Sequence, residues 1–330
     1  MTPIPSLCRT LALPGHASDL KEPNMQKKIA QFQHSDFIQG LLWMALGMIS
    51  FVGMSVGSRE LASTLSIEQV LFFRALIGLC VIVAFGRMLL PELRHAKLFK
   101  LHLARNLVHF MAQYLWTIGV VMLPLASVFA LEFTMPIWVA LFAFLFLREK
   151  MTRPRIFATI SGFIGVLVII RPGIAMVDPA AGLVLIAAAG YGLSLIFVKR
   201  LTRDVSPAAI VVWMIVIQLP LGLVASLTDW RPVHVADIPW MVVAGLGALC
   251  AHYCQAQALK RVDASVAMPI DFLRVPMAAV VGSYAYGEAI DLWVFLGGAI
   301  IVLANYRTVM TERRAGSGSL SAGPTPRGSA

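Results

Sequence analysis

Glu132 sits in the segment SVFALEFTMPIW, and between Leu125 and Leu147 it is the only charged residue. A charged side chain at the middle of a bilayer costs about 2.5 to 3.5 kcal/mol, so it must face protein or water and is a functional candidate from the start. Arg74, Asp271 and Arg274 stand in other apolar runs and fall under the same rule. The chemistry open to such groups is an ion bridge between helices, carriage of a coupling proton, or attraction of a charged end of a solute. For Glu132 all three remain open, with Arg74 as the partner in the first. Asp271 and Arg274, three residues apart on one helix, are placed to satisfy each other, while Asp271 also offers a second acid to match Glu132. These four are the candidate coupling or gating residues.

Uncharged polar residues follow a helical rhythm. Asn106, His109, Gln113 and Trp116 or Thr117 recur at three- and four-residue spacing, so one helical face carries them. A polar stripe among Leu, Phe and Val predicts either the wall of a cavity that binds a solute or hydrogen bonds from helix to helix. His252 and Gln255, three apart, offer a second such face, with Tyr253 off it. Trp43, Trp116 and Tyr191 are the candidate apolar walls of the same substrate-binding cavity.

Nothing catalytic accompanies them. The phosphate loop G-x-x-x-x-G-K-[ST] and the metal-binding H-E-x-x-H are both absent from the chain. Cys250 and Cys254 lie one helical turn apart without the further ligands that zinc requires, and the four cysteines make no disulfide framework. His109 and several serines show no nucleophile and base in a recognisable pairing. The reading is therefore no cofactor, no metal and no enzymatic activity.

The elements that must hold these residues are membrane spans. The chain has 330 residues, of which 58% are hydrophobic and 13% charged, against about 45 to 50% and about 25% in a soluble domain. The apolar excess comes in blocks of span length, near 37 to 57, 67 to 86, 101 to 123, 125 to 147, 155 to 171, 179 to 198, 207 to 227, 238 to 259, 264 to 287 and 290 to 307. Strands of an outer-membrane barrel would instead alternate over about ten residues. The net charge of +10 is spread between the blocks, which argues against a nucleic-acid partner. Of 27 Lys and Arg, three (Arg74, Arg105 and Arg274) lie within spans. Three more (Arg59, Arg171 and Arg231) fall in one set of alternate loops, and the other 21 fall on the side of the termini. Positive charge resists translocation, so both termini are predicted to be cytoplasmic.

The stretch YLWTIGVVMLPLASVFALEFTMPIWVALFAFLFLRE from Tyr114 lines up with YCQAQALKRVDASVAMPIDFLRVPMAAVVGSYAYGE from Tyr253. Glu132-Phe133 falls opposite Asp271-Phe272, and Glu149 opposite Glu288, while Pro136 and Pro276 slip by one position. Five spans per half, an odd number, would make the second half enter the membrane from the other side, which is an inverted repeat of the secondary-transporter kind. The expected organisation is a cytoplasmic tail over 1–36, a first repeat over 37–172, a second over 179–310 and a disordered tail over 311–330. No apolar stretch of signal-peptide length precedes residue 37, and Met25, just before QKK, is an alternative start. Glu149 and Glu288, at the ends of their spans, are read as either gating or plainly solvent-exposed.

At PLASVFALEFTMPIWVALFAFLFLREKMTRPRIFATISGFIGVLVIIRPG the sequence resembles the drug/metabolite transporter superfamily, EamA type. The resemblance implies an all-α membrane protein of ten transmembrane helices in two five-helix repeats. It also implies a central cavity lined mostly by spans 1, 3, 4, 6, 8 and 9, and a small-molecule solute. The expectation placed first is export, across the cytoplasmic membrane, of an amino-acid-like metabolite or an amino-acid-derived metallophore, with a proton as a possible coupling ion. The alternative is import of a vitamin or nucleoside-like compound such as riboflavin or S-adenosylmethionine. An intramembrane enzyme and a structural scaffold are remote alternatives, and the oligomeric state is left open.

Overall fold

The computed structural model describes residues 23–84, 98–148, 151–171, 178–259, 261 and 270–321, and among these the chain is helical, with no strand. Eleven helices are numbered here in chain order. They are α1 (Pro23–Ala62), α2 (Ile67–Ala84), α3 (Phe99–Met122), α4 (Leu125–Glu132), α5 (Met135–Leu147) and α6 (Arg153–Ile170). The second half contributes α7 (Pro179–Leu201), α8 (Pro207–Ser226), α9 (Ile238–Leu259), α10 (Arg274–Tyr286) and α11 (Leu292–Ser321). Local chemistry explains several boundaries. Proline occupies the first turn of α5, α6, α7 and α8, where its missing N–H costs nothing. The Asp178 and Ser206 side chains accept from Ala180 N and Ala209 N at 2.8 and 3.1 Å and so cap α7 and α8.

The predicted spans map onto these helices with two differences. Helix α1 begins upstream of residue 37 and α11 runs past 310 to Ser321, through the Gly- and Ser-bearing segment expected to be disordered. Hydropathy marks the portions of membrane length, Ile38–Ala62 and Leu292–Thr311. It does not report how far an existing helix continues, and propagation from a formed turn is cheap. The second difference is that the fourth and ninth spans are broken. Turn residues Phe133 and Thr134 separate α4 from α5, and turn residues Phe272 and Leu273 precede α10. Both breaks follow directly on the acids Glu132 and Asp271 and stand just ahead of Pro136 and Pro276.

Eight helices or helix pairs among the described residues are long and apolar enough to cross a membrane. Outside that set lie α3, which carries the polar stripe, and α10, which has 13 residues. Large apolar side chains such as Leu42, Ile49, Ile160, Leu167, Val224 and Leu303 point outward and are exposed. Polar ones such as Gln69, His102, Asn106 and Thr117 are fully buried. That distribution, apolar outside and polar within, suits lipid as the surrounding solvent.

Helices pair as α1 with α9, α3 with α7, α2 with α8, α6 with α11, and α4 with α10. The backbones of α6 and α11 approach closely. A Cβ on Gly165 would stand 2.6 Å from the Gly297 carbonyl oxygen, so only glycine lets those backbones meet. The main core gathers Val52, Trp116, Phe129, Val184, Val275 and Ile301 from six helices around the two breaks. Cys250 and Cys254 are neighbours on α9, with sulfurs 3.6 Å apart.

Candidate functional site

The breaks determine where charge can sit. Helix α4 ends on Glu132 and α10 starts on Arg274, which places a negative group at a helix C-terminus and a positive one at an N-terminus. Both positions oppose the helix dipoles, so each charge needs a direct partner. They find it in one another: Arg274 Nη1 lies 3.7 Å from Glu132 Oε1, and Arg274 Nη2 donates to Asp271 Oδ2 at 2.6 Å. Trp116 of α3 completes the group by donating its indole Nε1 to Glu132 Oε2 at 2.7 Å.

Aromatic rings surround the pair. The Arg274 guanidinium lies 4.6 Å from the Phe51 ring centre, 5.0 Å from Phe133 and 5.7 Å from Phe129. Cation–π attraction helps to offset the cost of removing that charge from water. Phe51 also meets Trp116 edge-on at 5.9 Å. Backbone groups released at the first break are served as well, since Asn305 Nδ2 of α11 donates to the Phe133 carbonyl at 3.3 Å.

The α3 stripe is where the spacing put it: Asn106, His109, Gln113, Trp116 and Thr117 are all buried on one face. Asn106 Oδ1 accepts from Arg105 Nη1 at 2.7 Å, and Asn106 Nδ2 donates to the His102 carbonyl at 2.8 Å. Gln113 Nε2 and His109 Nε2 are 3.3 Å apart. The His109 ring stands 5.3 Å from Tyr191 of α7. Thr117 is occupied within its own helix, donating to the Gln113 carbonyl at 2.8 Å. On α9, His252 and Gln255 share a face with Ala248, which packs on the core, and both are exposed.

One placement departs from a pairing that the sequence left open. Glu132 does not pair with Arg74. Its cation is Arg274, while Arg74 Nη2 meets the Met54 sulfur at 3.3 Å. Charge and span membership alone could not choose among arginines on different helices. Trp43 lies apart from the Glu132 group. It packs edge-on against exposed Tyr253 at 5.7 Å, beside Met44 and Ala258. The α1 ring that does meet Arg274 is Phe51, which gave no signal because one phenylalanine in an apolar run resembles any other.

A second constellation closes one end of the molecule. Arg59, near the end of α1, donates Nε to the Val120 carbonyl and Nη2 to the Leu123 carbonyl, each at 2.5 Å, and its Nη1 is ion-paired with Glu288. Glu288 Oε2 accepts the Leu125 N–H at 2.9 Å, placing a carboxylate on the N-terminus of α4. Tyr286 packs its ring 4.7 Å from the Arg59 guanidinium and donates its hydroxyl to Glu60 at 2.8 Å. Glu288 is therefore engaged rather than solvent-exposed. Its pseudo-equivalent Glu149 lies outside the described residues. A separate cavity of roughly 400 Å³, between α5, α6, α7 and α11, is lined by Ile137, Ala140, Thr159, Lys199 and Thr308 among others, and none of the predicted site residues reaches it.

Comparison with known proteins identifies this architecture. The riboflavin transporter of Rhizobium johnstonii is 27% identical over 299 residues, covering 88% of this chain and 97% of its own length. The riboflavin transporter of Brucella anthropi is 31% identical over 213 residues, covering 63% and 75%. The S-adenosylmethionine uptake transporter of Rickettsia bellii is 22% identical over 280 residues, covering 84% and 95%. A protein of known crystal structure shares the fold with a TM-score of 0.56 at 15% identity, over 85% of this chain and 97% of that one. The EamA-like transporter family matches twice, over residues 38–171 and 179–310. With most of its length so matched, the chain belongs to the EamA-like transporter family and is a multi-pass membrane transporter of the drug/metabolite kind, not an enzyme.

Proposed function

We propose that the protein is a secondary transporter of the inner (plasma) membrane that imports a flat heteroaromatic metabolite of the riboflavin kind by alternating access. The observation that carries this reading is the aromatic enclosure of the Glu132–Arg274 pair by Phe51, Phe129, Phe133 and Trp116. Such walls suit a planar ring system, and a few fixed polar groups among them orient it. The near full-length match to a riboflavin transporter points to the same solute class. The sequence-based expectation placed export of an amino-acid-like metabolite first, and the relatives favour the import alternative over it.

Ten spans in two inverted repeats fit the helix pairing. Exchanging the halves turns the α1–α9 pair into α7–α3 and maps α2–α8, α6–α11 and α4–α10 onto themselves. The Lys and Arg asymmetry supports cytoplasmic termini and thereby an outer position for the Arg59–Glu288 lock, with the chamber then closed outward. Broken fourth and ninth spans that present ionisable groups at mid-chain match the way transporters build midplane sites. Glu132 is the group we assign to solute recognition or proton coupling.

A second reading, import of S-adenosylmethionine, draws on the Rickettsia bellii relative. The deciding experiment uses a bacterium unable to make riboflavin. Expression of the protein is expected to permit growth on low external riboflavin and to raise uptake of labelled riboflavin. The Glu132→Gln variant, inserted at normal levels, is expected to do neither. Uptake of S-adenosylmethionine without riboflavin would select the second reading, and net release of solute from preloaded cells would reverse the direction.

A further inference from the structure

The region between the α3 stripe and the Glu132–Arg274 pair holds more positive than negative charge among the described residues. Its arginines are Arg74, Arg105 and Arg274, and its carboxylates are Glu132 and Asp271, both turned toward Arg274. Arg74 and Arg105 have no carboxylate partner among the described residues. Arg74 Nη1 is buried without a hydrogen-bond partner, and Nη2 has only the Met54 thioether. Arg105 is 8% exposed, spends Nη1 on the Asn106 amide oxygen and leaves Nε buried and unpartnered.

These groups share one region. Arg105 and His109 lie one turn apart on α3, the His109 ring stands 5.3 Å from Tyr191 of α7, and α2, which carries Arg74, packs against α3 and against α9, which carries His252. His109 Nδ1 is buried and unpartnered as well. An uncompensated guanidinium inside a membrane protein is costly, and its planar fork of donors matches an oxyanion in two-point contact. A cationic solute would instead meet repulsion that low dielectric strengthens.

We infer that Arg74 and Arg105, with His109 and His252, form an anion subsite of the chamber, and that the preferred solute carries a carboxylate or phosphate monoester in addition to the part that meets Glu132 and Trp116. The inference rests on the chamber being the solute site. It adds an anionic group to the solute, which neutral riboflavin lacks.

The test uses the full-length protein in lipid nanodiscs and compares riboflavin with riboflavin 5′-phosphate by flavin fluorescence. The phosphate ester is expected to bind about tenfold more tightly, equal to about 1.4 kcal/mol. Arg74→Gln and Arg105→Gln should each erase that preference, and Arg74→Lys, which keeps the charge, should retain part of it. Equal binding of the two flavins, or a preference that survives both glutamine variants, overturns the subsite and leaves the riboflavin reading standing. If neither flavin binds, that reading fails, and the subsite is judged by thermal unfolding in phosphate, acetate or chloride at matched ionic strength. Protection by phosphate or acetate that both glutamine variants lose supports it and tells phosphate from carboxylate. Identical unfolding in all three salts overturns it.

Discussion

The indole of Trp116 donates to the Glu132 carboxylate across 2.7 Å, tying the polar stripe of α3 to the residue that ends α4. This one contact joins the third span to the broken fourth, and it holds the carboxylate toward Arg274 rather than toward lipid.

Trp116→Phe keeps the ring in its buried place and removes only the donor. Hydrogen bonds between membrane helices contribute about 0.6 to 2 kcal/mol, so the variant is expected to fold and insert normally. Transport should fall several-fold, because Glu132 loses its orientation while keeping its charge. Uptake measured against the amount of monodisperse protein on size-exclusion chromatography checks this, and unchanged uptake would show that the indole contact serves packing alone.

Arg274 faces two carboxylates, so removing it alone strands both. Breaking a buried ion pair on one side costs about 3 to 5 kcal/mol, and Arg274→Gln is expected to lower the yield of folded protein sharply. The triple variant Arg274→Gln, Glu132→Gln, Asp271→Asn leaves no stranded charge and should regain most of that yield without regaining transport. A triple variant as unstable as the single one would mean that the arginine matters chiefly through its stacking on Phe51 and Phe133.

The Arg59–Glu288 lock is expected to govern access from its own end of the molecule. Glu288→Gln removes the ion pair but keeps an oxygen for the Leu125 N–H. A cysteine placed at Ser127, which borders the small cavity beside Glu288, should then react faster with an impermeant thiol reagent added outside, in a chain with Cys8, Cys80, Cys250 and Cys254 replaced. The exchanged pair Arg59→Glu, Glu288→Arg should slow labelling again. Equal labelling rates in all three proteins would remove the lock from the transport cycle.

Much of the fold could be read in advance because a bilayer imposes strict accounting on a sequence. Each span must be long, apolar and helical, so among the described residues the blocks between 37 and 307 fall on helices, apart from turns such as 133–134 and 272–273. The polar face of α3 was legible for the same reason: helical period places Asn106, His109, Gln113 and Trp116 on one side, and lipid excludes them from the other. Pro136 and Pro276 stand just past the acids, where the helices are interrupted.

Partner choice was not legible. Glu132 had three intramembrane arginines on other helices to choose from, Arg74, Arg105 and Arg274, and nothing in charge or spacing separates a helix that packs alongside from one that does not. Phe51 was indistinguishable from other apolar residues until α1 lay beside α10, and the Arg59–Glu288 lock joins chain positions on opposite sides of the molecule's two halves. The sequence by itself determined that the protein lives in a membrane, where its helices run and which polar residues lipid would refuse. Tertiary structure alone decided which of those residues meet, because hydrophobic periodicity acts along a single helix, whereas ion pairs, ring contacts and unpaired guanidiniums are created only when helices pack.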